Sequence, residues 1–525
     1  MPEAVITFGG GVNARKRILD VKIDECVPRS FNFDLDPQYR ALNRRKPFDL
    51  LGTAPNGGSI RGFAQLVRSD GTVSTIVQAG SEVYRWDGST GFTLVASINS
   101  GARLRGPREH NFTISDYVIV TDLEKVETVK IWDGTTLAPL NHDLGSNFYA
   151  KYCRVAMQRA FFANVKTTTD TPQVILASQI DDAETLSDVN TPTRALGEDA
   201  PFFLVTPDLR AVNGMEEAFG EIVVSSDRGR LFRFSGEDSF DFEITGFHAG
   251  SAVIGDEAIK NIGNDILFGS PGRIESAVGI LEFGDVETND VSRDISSLVD
   301  DVTGWTIEYD RTRQKVFCFP NTTSTVYVLH KKVHDDNKRL DQNDRISPWS
   351  IWTTTHPMDF NPVTVMLMID PLNSRDTVYM GDSSGNIYRM DGTGGQDGGT
   401  TDITVQRTSG LLAPGQGNAF DISGWISYRR LFQGTVDLTI IGGGVAEYDQ
   451  DISIRLPAAS GVAVYNGNSY YGGGSYYGQS FTGRLIEQNW RAAGHSSHFQ
   501  VRVSHTGSGD INIEEIGIRF EEAQT

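Results

Sequence analysis

Hydrophobic and polar positions alternate with a period of two along almost the whole chain. Residues 74–79, 117–121, 221–225, 315–319, 324–329 and 437–441 are short β-branched or aromatic runs, nearly all bounded by turn-forming residues. Helical periodicity is confined to two short stretches, 36–42 and 294–300. The pattern predicts an all-β protein.

A strand–turn–strand phrase recurs through the first three quarters. Its copies are QAGSEVYRWDG (78–88), TVKIWDG (128–134), VILASQIDD (174–182), VVSSDRGRLFRFSG (223–236), LFGSPGRIESA (267–277), KVFCFPNTTSTVYVL (315–329) and VYMGDSSGNIYRMDG (378–392). Neighbouring copies lie roughly 40 to 60 residues apart, enough for one four-stranded propeller blade plus loops. A unit of that size cannot bury its own face and must pack on its neighbours, so the array closes into a ring. Residues 62–409 are therefore expected to form a diverged β-propeller of six or seven blades, with the repeat itself spanning 62–405. Trp-Asp-Gly in two copies is similar to the WD signature, without that family's other hallmarks.

The flanks read differently. Residues 1–61 are rich in turns and form an expected arm or platform segment that ends in the loop-like TAPNGGSIRG. Residues 410–525 carry strand-like runs expected to build a small antiparallel sandwich. Within them lies YNGNSYYGGGSYYGQSF (465–481), where Tyr470, Tyr471, Tyr476 and Tyr477 sit among glycines. Tyrosine offers a large amphipathic surface with few rotatable bonds, so this segment is expected to be an exposed contact loop.

Charge sharpens the division. Residues 1–61 hold ten Lys/Arg against seven Asp/Glu, net +3, leaving 37 against 61, net −24, on the remainder. Such a chain is unsuited to wrapping duplex DNA, but it suits a surface that DNA slides past. Two basic clusters interrupt the acidity, Arg15–Lys16–Arg17 and Arg44–Arg45–Lys46. The guanidinium fork favours bidentate carboxylate contacts, so the basic segment, with Arg15, Lys16 and Arg17 as well as Arg44, Arg45 and Lys46, is expected to touch a partner protein. Glycine, at 55 residues, exceeds its usual share and fits a chain full of tight turns. No apolar run is long enough to span a bilayer, and no secretory signal pattern opens the sequence. The three cysteines lie far apart, which argues against a disulfide framework and for a reducing cytoplasm.

The motifs that suggest chemistry are weak. GGGVNARKR (9–17) lacks the spacing and strand–helix setting of a phosphate loop. SSDRGRLF (225–232) matches the Asp-box hairpin of sialidases, in which Asp227 would cap the turn and Gly229 supply a positive φ. That role is structural. His330 and His334 would share a face only if HKKVH were helical, and the segment directly follows a strand. His495, His498 and His505 show no fourth ligand nearby. Asp391, Asp397 and Asp402 in the glycine-rich turn DGTGGQDGGTTD (391–402) could hold calcium, but the spacing fits no EF-hand loop and a plain turn is the expectation. No catalytic residue, metal or cofactor is expected.

In order along the chain, RSFNFDLDPQYRALNRRKPFDLLG (29–52), NDILFGSPGRIESA (264–277), DISSLV (294–299), RQKVFCFP (313–320), SPWSIWTT (347–354) and GNIYRMDGTGGQDGG (385–399) resemble the tail nozzle, or packaged-DNA stabilisation (tail hub), proteins of short-tailed bacteriophages. The resemblance implies a β-propeller carrying a platform or sandwich domain. It also implies a homo-oligomer, a sixfold ring around the DNA exit channel. An adjacent tail adaptor or portal-side protein and a tail fibre would be its partners, and duplex DNA would pass without specific binding. The implied location is the virion tail, assembled in the host cytoplasm. Rival expectations are a glycan-binding or glycan-cleaving propeller, receptor-binding or sialidase-like, and an intracellular scaffold.

Overall fold

The computed structural model describes residues 3–17, 20–35, 41–106, 117–144, 147–186, 200–218, 220–236, 242–249, 252–278, 287–341, 344–371, 374–392, 394–412, 420–430, 435–442, 450–455, 486–496, 498–507 and 511–522. Among these, seven four-stranded antiparallel sheets follow one another as the blades of a propeller. Blade one is Ile60–Val67, Val73–Ala79, Glu82–Trp86 and Phe92–Ser97. Blade two is Leu104–Arg105, Val118–Asp122, Lys130–Trp132 and Leu137–Pro139. Blade three is Tyr149–Ala156, Arg159–Lys166, Asp170–Ala177 and Phe202–Val205. Blade four is Val212–Ala218, Glu221–Ser226, Arg230–Ser235 and Glu243–Ala249. Blade five is Ile259–Asn261, Ile266–Ser270, Arg273–Val278 and Glu287–Asp290. Blade six is Trp305–Asp310, Lys315–Pro320, Thr325–His330 and Trp349–Thr353. Blade seven takes Thr364–Ile369, Asp376–Gly381 and Asn386–Arg389 from the end of the array, and its outer strand is Asp49–Thr53.

Each of the seven repeat copies falls on the middle strands of one blade. The second strands are the most apolar because a neighbouring blade covers each face. Arg159–Lys166 and Lys315–Pro320 are buried almost throughout, whereas the outer strand Phe92–Ser97 has no buried residue. Inner strands touch around the ring, with blade seven returning to blade one. Trp86-Asp87-Gly88 and Trp132-Asp133-Gly134 do the same structural task twice. The indole is buried, the Asp carboxylate accepts backbone N–H groups of the following turn, and the glycine has φ near +90°.

Two further sheets form a sandwich. One contains Phe33–Leu35, Leu42–Arg44, Asn512–Glu522, Phe420–Arg430 and Ile486–Ser496, with Glu3–Thr7 also paired to Asn512–Glu522. The other is Ile403–Thr408, Phe499–Gly507, Thr435–Gly442 and Gln450–Arg455. One apolar cluster runs from this sandwich (Leu438, Val503, Ile516) into blades five and six (Ile266, Val316, Trp349). The two parts therefore share a core.

Two expectations need correction. Residues 1–61 are not a separate arm: they supply three sandwich strands and close the propeller, because their apolar residues alternate as sheet members. Strand Ile403–Thr408, expected within the propeller at 62–409, belongs to the sandwich, since it pairs with Phe499–Gly507. The expected helix at 36–42 lies mostly outside the described residues, and Leu42 begins a strand. At 294–300 the expectation matches a 3₁₀ turn, Val291–Ile295, followed by the helix Ser296–Val299. Lys331–Asn337 is helical directly after a strand. Among the described residues, no helix is long and apolar enough to cross a membrane.

Candidate functional site

The second basic cluster is divided by the fold. Arg44 and Arg45 are buried, while Lys46 is exposed. Arg44 donates from Nη1 to the carbonyls of Gly395 and Gly507, each at 2.7 Å. Arg45 forks onto Asp397, with Nη1 2.8 Å from Oδ1 and Nη2 bonded to Oδ2, and its Nε donates to Asn32 Oδ1 at 2.9 Å. The guanidinium also lies over Trp352 and Phe360. Both arginines are expected from sequence at a partner interface; in the fold they weld the sandwich to blades six and seven. The fork does find its carboxylate, but inside the same chain.

Asp397 and Asp391 are thereby used as ion-pair partners. Asp391 meets Arg313 at 3.1 Å and Lys315 at 3.3 Å, and Lys315 also reaches Asp34 at 2.7 Å. Among the described residues no group of three or more His, Cys, Asp or Glu could hold a metal ion. At the Asp-box-like turn, Gly229 has φ +81° and its N–H reaches the Ser226 carbonyl. Asp227 is exposed, and its backbone N–H donates to the Ala211 carbonyl. Asp382 of blade seven shows the capping geometry instead, accepting the N–H groups of Ser384 and Asn386 at 2.8 Å. Tyr470, Tyr471, Tyr476 and Tyr477 lie outside the described residues.

Two charged sites emerge that sequence reading did not assemble. The first lies where the inner strands of blades two to six converge. Inner strands and the loop before blade five bring together Arg105, Lys151, Arg154 and Lys260 with Glu216, Asp256, Glu257 and Glu308. Arg105 meets Glu257 at 2.7 Å, Lys151 meets Asp256 at 2.7 Å, Lys260 meets Glu308 at 2.8 Å and Arg154 meets Glu216 at 2.9 Å. Burial raises the Glu308 pKa, but Lys260 and Arg105 outweigh it and hold the carboxyl below its ordinary value. The space left among these side chains is about 30 Å³. The sequence signal was a charge on inner-strand runs such as WTIEYD and YAKYCRVA.

The second site is an open cleft of about 570 Å³. It lies between the loop holding the first basic cluster, the turn Val291–Ile295, the helix Lys331–Asn337 and residues 345–348. The loop is anchored by Gly11 N–H to Ser347 O and Val12 N–H to Trp349 O, at 2.7 and 2.8 Å. Arg15, Lys16, Arg293, Lys338 and Arg345 contribute cations, and Glu25, Asp290 and Asp294 contribute carboxylates. His334 borders it with Nε2 buried and without a hydrogen-bond partner among the described residues. Burial and then the Lys338 charge push the His334 pKa down to about 4.

No protein-family model matches the chain, and no curated protein matches it. Solved structures similar to it include YCF48 bound to D1 peptide, 10% identical with a TM-score of 0.40, covering 66% of this chain and 95% of that one. Virginiamycin B lyase from Staphylococcus aureus with quinupristin is 10% identical with a TM-score of 0.39, covering 65% and 98%. The N-terminal domain of Nup159 is 11% identical with a TM-score of 0.39, covering 66% and 95%. At such identities nothing about activity or ligand transfers to this chain.

Proposed function

We propose that this chain is a structural subunit of a short phage tail, forming an oligomeric ring, sixfold, around the DNA exit channel. The ring retains packaged DNA and conducts it during ejection, and the reading assigns it no catalysis. One observation carries the proposal: a propeller and a sandwich occur in one chain, the architecture implied by the ordered resemblance to tail nozzle proteins. Two features support it. The net −24 on residues 62–525 gives a wall that repels a phosphate backbone. Charged side chains of five inner strands and the loop before blade five pair with one another inside the single propeller, and the DNA path in this reading runs between copies. The ring docks on an adjacent tail adaptor or portal-side protein in the virion, and the tyrosine-rich segment 465–481 meets a neighbouring copy or a tail fibre.

The test is assembly of the purified chain with and without a tail adaptor, followed by native mass measurement and electron cryo-microscopy. The expected particle has a mass near six times 57.6 kDa and a lumen lined by Asp and Glu that is wide enough for duplex DNA. A chain that stays monomeric in both conditions, or a ring with a neutral or basic lumen, overturns the reading.

A further inference from the structure

We propose that the cleft under the Arg15 loop is a binding site for a carboxylate-bearing peptide segment of a protein partner. The inference stands on the cleft's own chemistry and does not require the ring.

Its volume, about 570 Å³, is that of a built ligand site rather than a packing gap. The carboxylate nearest the loop, Glu25, is already saturated. Its oxygens accept Asn13 Nδ2 at 3.1 Å, Lys16 Nζ at 3.0 Å, Lys22 N–H at 3.2 Å and Ser347 N–H at 2.9 Å. Asn337 is likewise occupied, exchanging two hydrogen bonds with the Ile346 backbone. Arg15 and Arg293, by contrast, are exposed on the cleft, and among the described residues neither guanidinium has a hydrogen bond or ion pair. Asp294 lies near both; burial and Glu25 raise its pKa, against the opposing charges of Lys16, Arg15 and Arg293. Two uncommitted guanidinium forks in a chain of net −21 match carboxylates well.

The surroundings of the cleft carry both signs of charge. Asp336, Asp341 and Asp344 are exposed on the helix and the segment that follow His334. Lys332, Lys338, Arg339 and Arg345 are exposed among them, and a short acidic peptide, which needs only the cleft itself, is the occupant proposed.

Calorimetric titration of the full chain with a capped tetraglutamate peptide at low salt tests the proposal, with inorganic phosphate and a short DNA duplex as comparison ligands. Arg15→Gln with Arg293→Gln should weaken peptide binding at least tenfold, while Arg15→Lys with Arg293→Lys should retain part of it. Arg85→Gln, on blade one, should leave it unchanged. Matching thermal unfolding midpoints will show that the variants are folded. Absence of peptide binding to the unaltered chain overturns the proposal, as does equal binding by the folded Gln double variant. Tighter binding of phosphate or the duplex than of the peptide also overturns it, assigning the cleft to another class of anion.

Discussion

At the scale of single residues, the strongest commitments are buried charges with assigned partners. Replacing Arg45 by Met leaves Asp397 without its fork, although Thr354 Oγ1 still donates to it at 2.7 Å. Stranding one member of a buried pair costs about 3–5 kcal/mol. Urea unfolding of Arg45→Met should show that loss, and changing Asp397 to Leu as well should return part of it. A variant with unaltered stability would mean that the pair is dispensable. His334 sets a pH dependence. Its folded-state pKa of about 4 lies below the ordinary 6.5, with burial, Lys338, Lys331 and Arg345 opposing protonation and Asp335 favouring it. The unfolded chain therefore takes up the proton first as pH falls. The His334 contribution to stability is complete above pH 6.5 and is lost progressively toward pH 4. Thermal unfolding of His334→Gln should show a shallower decline across that window; an identical slope would exclude this residue as the source.

Among the elements, the repeat and the period-two runs are legible because each middle strand is covered on both faces and must be apolar. The run KVFCFP announces its own burial. Segment 1–61 misleads because its strands are short and, the pairing of Phe33–Leu35 with Leu42–Arg44 apart, their partners lie hundreds of positions away. Nothing local in FDL or LNR tells a sheet member from a loop. The same cause hides the cleft, whose cations come from three separated segments, and makes Arg44 and Arg45 look like surface groups. Glycine at position 11 is visible in the sequence only as part of a flexible phrase. In the fold a Cβ there would lie 1.9 Å from the Trp349 carbonyl oxygen. Gly11→Ala should therefore displace the loop from blade six and destabilise the chain by roughly 1–3 kcal/mol. Hydrogen exchange should quicken at Val12 and Trp349, and unchanged protection at both would contradict this close approach.

For the molecule as a whole, closure of blade seven by Asp49–Thr53 makes the ring depend on residues outside the repeat array. A fragment spanning residues 60–392 keeps the other strands but leaves Asn386–Arg389 as an open edge, which invites pairing between molecules. The fragment should aggregate or melt well below the full chain, and a synthetic peptide covering residues 45–55 should restore a monomer. A soluble monomeric fragment as stable as the full chain would show that closure matters little.

The same closing strand imposes an order in time. Asp49 and its ion-pair partner Arg389 are 340 residues apart. Translation at about 5–20 residues per second separates their synthesis by roughly 20–70 s. Throughout that interval the early strand has left the ribosome without its partner, while blades one to six accumulate behind it. Blade-by-blade folding can therefore begin during synthesis, but the ring can be sealed only after its seventh blade has emerged.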